Sequence, residues 1–258
     1  MSSGHSLAAI LVAGGSGSRF GAAGGLPKQF QMLAGYPLYT WSISRIYKSG
    51  VFKDIILTMP GSLIDRARRE IDVLFPNNYI DVIAGGASRQ ESVHLALRSL
   101  ASKSAAAEYV VVHDAARPFL TLKMLEDAIA TVTTRGACTI GTPVSDTLKK
   151  VAPPVEPATT EVEPRRSLID GLIIETVDRR DLYSVQTPQA APLELLLACH
   201  ERARAENLGV TDDAAILEHF GHRVVIFPGQ TNNIKITVGE DLRAGELLAP
   251  LYLPASPH

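Results

Sequence analysis

Cysteine is almost absent from this 258-residue chain: only Cys138 and Cys199 occur, far apart and without the short spacing of a zinc or redox pair. That excludes a disulfide framework and predicts two buried packing residues in a reducing compartment. Charge of one sign is also lacking. Twenty-five basic residues face 27 acidic ones, for a net charge of −2, and no long basic run occurs. That argues against a nucleic acid or an anionic membrane as the main partner, so any anion binding has to be local. Long apolar runs are missing too. In MSSGHSLAAILVAGG no basic segment precedes the apolar stretch, which ends in glycines too soon for a signal peptide or a membrane span. No repeat or heptad pattern appears. The expectation is a soluble, cytoplasmic protein with small-molecule partners.

A hydrophobic content of 46% over this length supports one large α/β domain spanning 1–258. Apolar runs at Leu7–Ala13, Ile55–Met59, Tyr79–Ile83, Tyr109–His113 and Thr139–Val144 read as strands. Helical patterns lie between them at Leu38–Lys48, Ser62–Leu74, Arg89–Ser102 and Leu122–Arg135. Such alternation predicts a mostly parallel twisted sheet with helices on both faces, its strand C-termini gathered along one ligand-binding edge. From Lys149 to Arg166 the texture changes. Pro153, Pro154, Pro157 and Pro164 suit neither a sheet core nor a helix, so this stretch reads as an excursion from the domain. Beyond it the pattern predicts a strand at Leu182–Val185, helices at Pro192–Glu206, Asp212–Phe220 and Glu240–Leu248, and strands at Arg223–Phe227 and Ile234–Thr237.

Residues 11–30, LVAGGSGSRFGAAGGLPKQF, place six glycines, Arg19 and Lys28 directly after the first strand. Glycines bring backbone N–H groups close to phosphate oxygens, and the two cations add the charge a backbone lacks. Two familiar phosphate loops do not fit. Lys28 is followed by Gln29 rather than Ser or Thr, so there is no Walker loop; Gly15, Gly17 and Gly21 are spaced one residue too long for a dinucleotide fingerprint.

Three further segments carry candidate residues, the first two of them at the same edge. HDAARP, 113–118, puts Asp114 and Arg117 on one short loop, suited to a magnesium-bound ribose or phosphate with the arginine ordering the loop; an exposed Asp–Arg ion pair accounts equally for both residues. His113 reads as a packed strand-end histidine rather than a metal ligand. GGASRQESV, 85–93, opens a helix, with Ser88 and Glu91 placed for an N-cap. In NIKIT, 233–237, alternation sets Asn233 and Lys235 opposite Ile234 and Ile236.

Taken in order, LVAGGSGSRFG, PKQF, GGASRQESV, VVHDAARPF, PVSDTLKKV, TVDRRDLYSVQTPQ, VTDDAAILE and NNIKIT closely resemble the 2-C-methyl-D-erythritol 4-phosphate cytidylyltransferases of the non-mevalonate isoprenoid pathway. The resemblance runs from about Leu7 to Leu248. It implies a Rossmann-like nucleotidyltransferase fold with a protruding dimerisation arm at 147–179, a homodimer with arm exchange, and transfer of CMP from CTP to a polyol phosphate with Mg²⁺ or another divalent cation. By the same likeness Arg19, Lys28 and Lys235 are catalytic. Ala13, Gly14, Gly15, Gly85, Gly86, Ser92 and Asp114 bind nucleotide, and Asp114 also serves the metal. Thr147, Arg179, Thr187 and Arg117 serve the substrate, Arg117 by supporting Asp114. Ala87 and Asn232 depart from acids found in some relatives, and the stretch between Thr147 and Arg179 is longer than in compact members. A sibling family acting on ribitol 5-phosphate more often reads HDSVRPF, whereas this chain has HDAARPF.

The implied chemistry suits these residue types. A phosphate monoester oxygen is already a competent nucleophile, so attack on an α-phosphorus needs positioning and charge neutralisation rather than a strong base.

Overall fold

The computed structural model describes residues 4–14, 28–152 and 172–252, so Gly15, Arg19 and most of the proline-rich stretch lie outside the described residues. Two compact units are present: residues 1–141 with 185–258, and residues 142–184.

The larger unit begins with β1 (Leu7–Val12), followed by a short hairpin, β2 (Met32–Leu33) and β3 (Tyr36–Pro37), and α1 (Leu38–Ser49). Alternation then sets in: β4 (Asp54–Met59), α2 (Ile64–Leu74), β5 (Ile80–Ala84), α3 (Arg89–Ala101), β6 (Tyr109–Asp114), α4 (Leu122–Arg135) and β7 (Cys138–Pro143). The smaller unit contributes an antiparallel pair, β8 (Leu148–Val151) with β9 (Ile173–Val177). The chain returns through β10 (Tyr183–Pro192), α5 (Leu193–Ala205), α6 (Asp213–His219), β11 (Val225–Pro228) and α7 (Gly239–Leu248).

Seven strands form the central sheet in the order β11-β7-β10-β6-β1-β4-β5. Strand pairs β1–β4, β1–β6, β4–β5 and β7–β11 are parallel, whereas β10 runs antiparallel to β6. Strand β1 shows why the apolar runs are continuous. Leu7, Ala9 and Leu11 point into a core shared with α1, α2 and α4, while Ala8 and Ile10 point into the opposite core with α3, α5 and α6. A strand covered on both faces has no polar side to display. Strand order reverses at β1, with β4 on one side and β6 on the other, and this topological switch opens a crevice at the strand C-termini.

Both cysteines are buried and free, and burial pushes the Cys138 thiol up to about 12. No helix among the described residues is long and apolar enough to cross a membrane.

One expectation is corrected. Ile234–Thr237 forms no strand: Ile236 N–H donates to the carbonyl of Ala116 and its side chain enters a small third core with Leu33, Leu38 and Phe119, so the segment lies along the HDAAR loop instead of joining the sheet. Lys149–Val151 lies outside the central sheet, in the smaller unit, as the excursion reading expects; the first proline of the run comes only at 153, leaving these residues free to pair with β9 as strand β8.

Candidate active site

The crevice is built where β1, β5 and β6 end. Gly14 follows β1 and Gly85 follows β5, and Ser92 of α3 stands against both turns. A Cβ on either glycine would come within 2.8 Å of Ser92 Oγ, so this close approach requires glycine at both positions. Ser92 Oγ accepts from Gly86 N–H at 3.0 Å and donates to the carbonyl of Ser88 at 2.8 Å, which fixes the turn over the first coil of α3. Ser88 Oγ caps that helix by accepting from Glu91 N–H, and Glu91 Oε2 accepts from the exposed Ala87 N–H at 2.8 Å. Ala13 is buried; its N–H bonds Thr58 and its carbonyl accepts from Gln29 Nε2.

Gln29 belongs to a single 3₁₀ turn, Lys28–Phe30, anchored by Phe30. That ring packs edge-on to Tyr39 with the Arg66 guanidinium 4.3 Å from its centroid. Burial alone would raise the Asp241 carboxyl, but hydrogen bonds from Thr237 and Val238, aided by the charge of Lys28, hold it below the usual carboxylate range. Lys28 is therefore placed on the side of the crevice where the 237–241 segment runs.

Asp114 closes β6 and is the electrostatic centre. Its Oδ1 accepts from Arg89 Nε at 2.9 Å and its Oδ2 from Lys235 Nζ at 2.6 Å. Burial opposes ionisation here, yet the charges of Arg89 and Lys235 outweigh it and keep the carboxyl well below the usual carboxylate range. Arg117 makes a different contact from the one expected: its Nη1 donates to the carbonyl of Asn233 at 2.7 Å, tying the loop to the segment that carries Lys235. Asn233 is itself buried, donating to Gln186 Oε1 and to the carbonyl of Thr187.

His113 is packed and hydrogen-bonded, with Nδ1 3.0 Å from Thr187 Oγ1 and Nε2 3.1 Å from the carbonyl of Arg117. Thr187 Oγ1 also accepts from Asp114 N–H at 3.0 Å, so this buried hydroxyl braces the end of β6. Thr147 and Arg179 lie in the smaller unit; Thr147 is exposed, and Arg179 Nη1 donates to the carbonyl of Ser145.

Among the described residues no group of three or more His, Cys, Asp or Glu is arranged to hold a metal. One carboxylate with both oxygens on cations suits a hard cation bound mainly through ligand phosphates, not an all-protein cage.

Sequence reasoning missed Arg89 and Asp213, which the fold brings to Asp114. A signal existed for the first: an arginine at the first position of a helix opposes the helix dipole unless an anion holds it.

Comparison with known proteins gives a consistent result. The model of the 2-C-methyl-D-erythritol 4-phosphate cytidylyltransferase family matches residues 7–250. The chain is 34% identical to a 2-C-methyl-D-erythritol 4-phosphate cytidylyltransferase of Clostridium novyi, with 92% of this chain and 94% of the relative covered. Its identity to the Aquifex aeolicus enzyme of that name is 35%, covering 91% and 93%. Among solved structures, the Francisella tularensis 2-C-methyl-D-erythritol 4-phosphate cytidylyltransferase superposes with a TM-score of 0.73 at 25% identity, covering 96% of this chain and all of that one.

Proposed function

The chain belongs to the 2-C-methyl-D-erythritol 4-phosphate cytidylyltransferase family and is a nucleotidyltransferase that transfers CMP from CTP to 2-C-methyl-D-erythritol 4-phosphate; from that premise we propose how its residues share the reaction. The observation that carries the proposal is the convergence of Gly14, Gly85, Ser92, Asp114 and Lys235 on one sheet edge. Cytidine lies against Ala13, Gly14 and Gly15 and against the Gly85–Gly86 turn, with Ser92 beside it. Arg19, Lys28 and Lys235 bind the triphosphate and stabilise charge on the bridging oxygen and the leaving pyrophosphate. The acceptor phosphate oxygen attacks the α-phosphorus in line, and no Ser-His-Asp or Cys-His apparatus is needed.

Mg²⁺ or another divalent cation would be held by Asp114 together with CTP phosphates, where it supplies charge neutralisation. Asp114 also orients the ribose, while Arg117 and Thr187 hold the loop and strand end that present it.

We further place the protein in the cytoplasm as a homodimer in which Thr147 and Arg179 of one subunit serve the acceptor in its partner's site. Support comes from the smaller unit, where Leu172, Ile173 and Ile174 are all more than half exposed, an apolar surface suited to burial against a second copy.

Ribitol 5-phosphate is not favoured as acceptor. Magnesium-dependent pyrophosphate release from CTP, assayed with each polyol phosphate, tests the assignment. Turnover is expected with methylerythritol phosphate, and preference for ribitol phosphate would overturn it.

A further inference from the structure

We infer that Asp213, which has no role in the scheme above, is a positioning residue for the nucleotide site: it fixes Arg89 so that Asp114 keeps one oxygen permanently occupied and offers the other to the ligand. This rests on the reading of Asp114 as the ribose and metal contact. Arg89, the first residue of α3, reaches both carboxylates, with Nε 2.9 Å from Asp114 Oδ1 and Nη2 2.9 Å from Asp213 Oδ2, the latter an ion pair without hydrogen-bond alignment.

Asp213 has little freedom to yield. Its side chain is 3% exposed, its Oδ1 lies 3.0 Å from Nε2 of the sealed His200, and its own N–H donates to Gln189 Oε1 at 2.9 Å. The next N–H, of Ala214, bonds the same Gln189 oxygen. A guanidinium has a planar fork that joins two anions at once, and moving it would strand a carboxylate in a buried place.

Lys235 is held differently. Its side chain is 39% exposed, and its ammonium rides on a flexible stem. The two cations on Asp114 therefore differ in mobility. A polyphosphate competes for the ammonium and frees Oδ2, while Arg89, braced from behind by Asp213, stays on Oδ1. Asp114 thus meets the nucleotide through one oxygen in a preset orientation.

The test is equilibrium titration of CTP, with Mg²⁺ and without acceptor, into wild type, Asp213→Asn, Arg89→Lys and the double variant, alongside thermal melting and acceptor KM. Asp213→Asn preserves volume and an acceptor for His200; Arg89→Lys keeps the charge and loses the fork. Each single variant is expected to bind CTP about tenfold or more weakly with acceptor KM unchanged, and the double variant no more weakly than either. Wild-type CTP affinity in Asp213→Asn, even with a lowered Tm, would overturn the inference, as would fully additive losses. Should Asp213→Asn fail to fold, Arg89→Lys carries the test, and wild-type affinity there overturns it. Asp114→Asn separates the two readings: if it binds CTP normally, the role assigned to Asp114 fails and takes the positioning role with it.

Discussion

Lys235 Nζ lies 2.6 Å from Oδ2 of Asp114, joining residues 121 apart in the chain. The contact puts a movable cation at the mouth of the crevice and neutralises a carboxylate that would otherwise repel a triphosphate. With Arg89 on the other oxygen, Asp114 has a cation on each side before Lys28 and Arg19 are counted.

Those two cations give the first prediction. In the proposed mechanism Lys28 and Arg19 stabilise charge that grows during transfer, so Lys28→Ala and Arg19→Ala are each expected to lower kcat by about 10²- to 10³-fold, some 3–4 kcal/mol. Circular dichroism should stay unchanged. Steady-state kinetics are the check, and near-normal turnover in both variants would remove this mechanism.

Nucleotide choice gives the second. In the proposed arrangement the base lies against the Gly14 and Gly85 turns beside Ser92, a seat that we read as suited to a pyrimidine and too small for a purine. CTP should exceed ATP and GTP in kcat/KM by about two orders of magnitude or more. Comparable use of ATP would refute the cytidine assignment, even with pyrophosphate release intact.

Much of this was readable in the sequence because the sheet is buried on both faces. Strands such as Leu7–Val12 show as unbroken apolar runs, and the helical pattern at Leu122–Arg135 coincides with the observed limits of α4. Ile234–Thr237 misled because its alternation fits a strand, yet its hydrogen bonds go to a loop. The Asp114–Arg89–Asp213 bridge was illegible for another reason. Ion pairing between distant segments leaves no local period, and only the fold reveals that Arg89, rather than Arg117, is the guanidinium on Asp114.

A third prediction concerns acid. Burial is the main cause that lowers the His113 pKa from its ordinary 6.5 to about 4. The unfolded chain therefore takes up the proton first, so the stabilising contribution is complete above about pH 6.5 and is lost as pH falls through about 4. Urea unfolding at pH 7 and pH 4.5 should differ by about 2–3 kcal/mol from this residue, with His94, also lowered by burial, adding in the same direction. His113→Gln is expected to flatten that dependence; an identical slope in the variant would assign it to another group.

The last prediction tests the dimer. Arg179 is exposed in the smaller unit, and its guanidinium suits bidentate capture of a phosphate. If it serves the partner's site, Lys28→Ala and Arg179→Ala, each nearly inactive alone, should complement one another on mixing, because every heterodimer rebuilds one site holding both native residues. Under random exchange half the dimers are mixed and half of their sites are intact, so activity should recover to about one quarter of wild type. Native mass spectrometry reports whether heterodimers have formed. Heterodimers without recovered activity would put Arg179 in its own subunit's site or outside the site altogether.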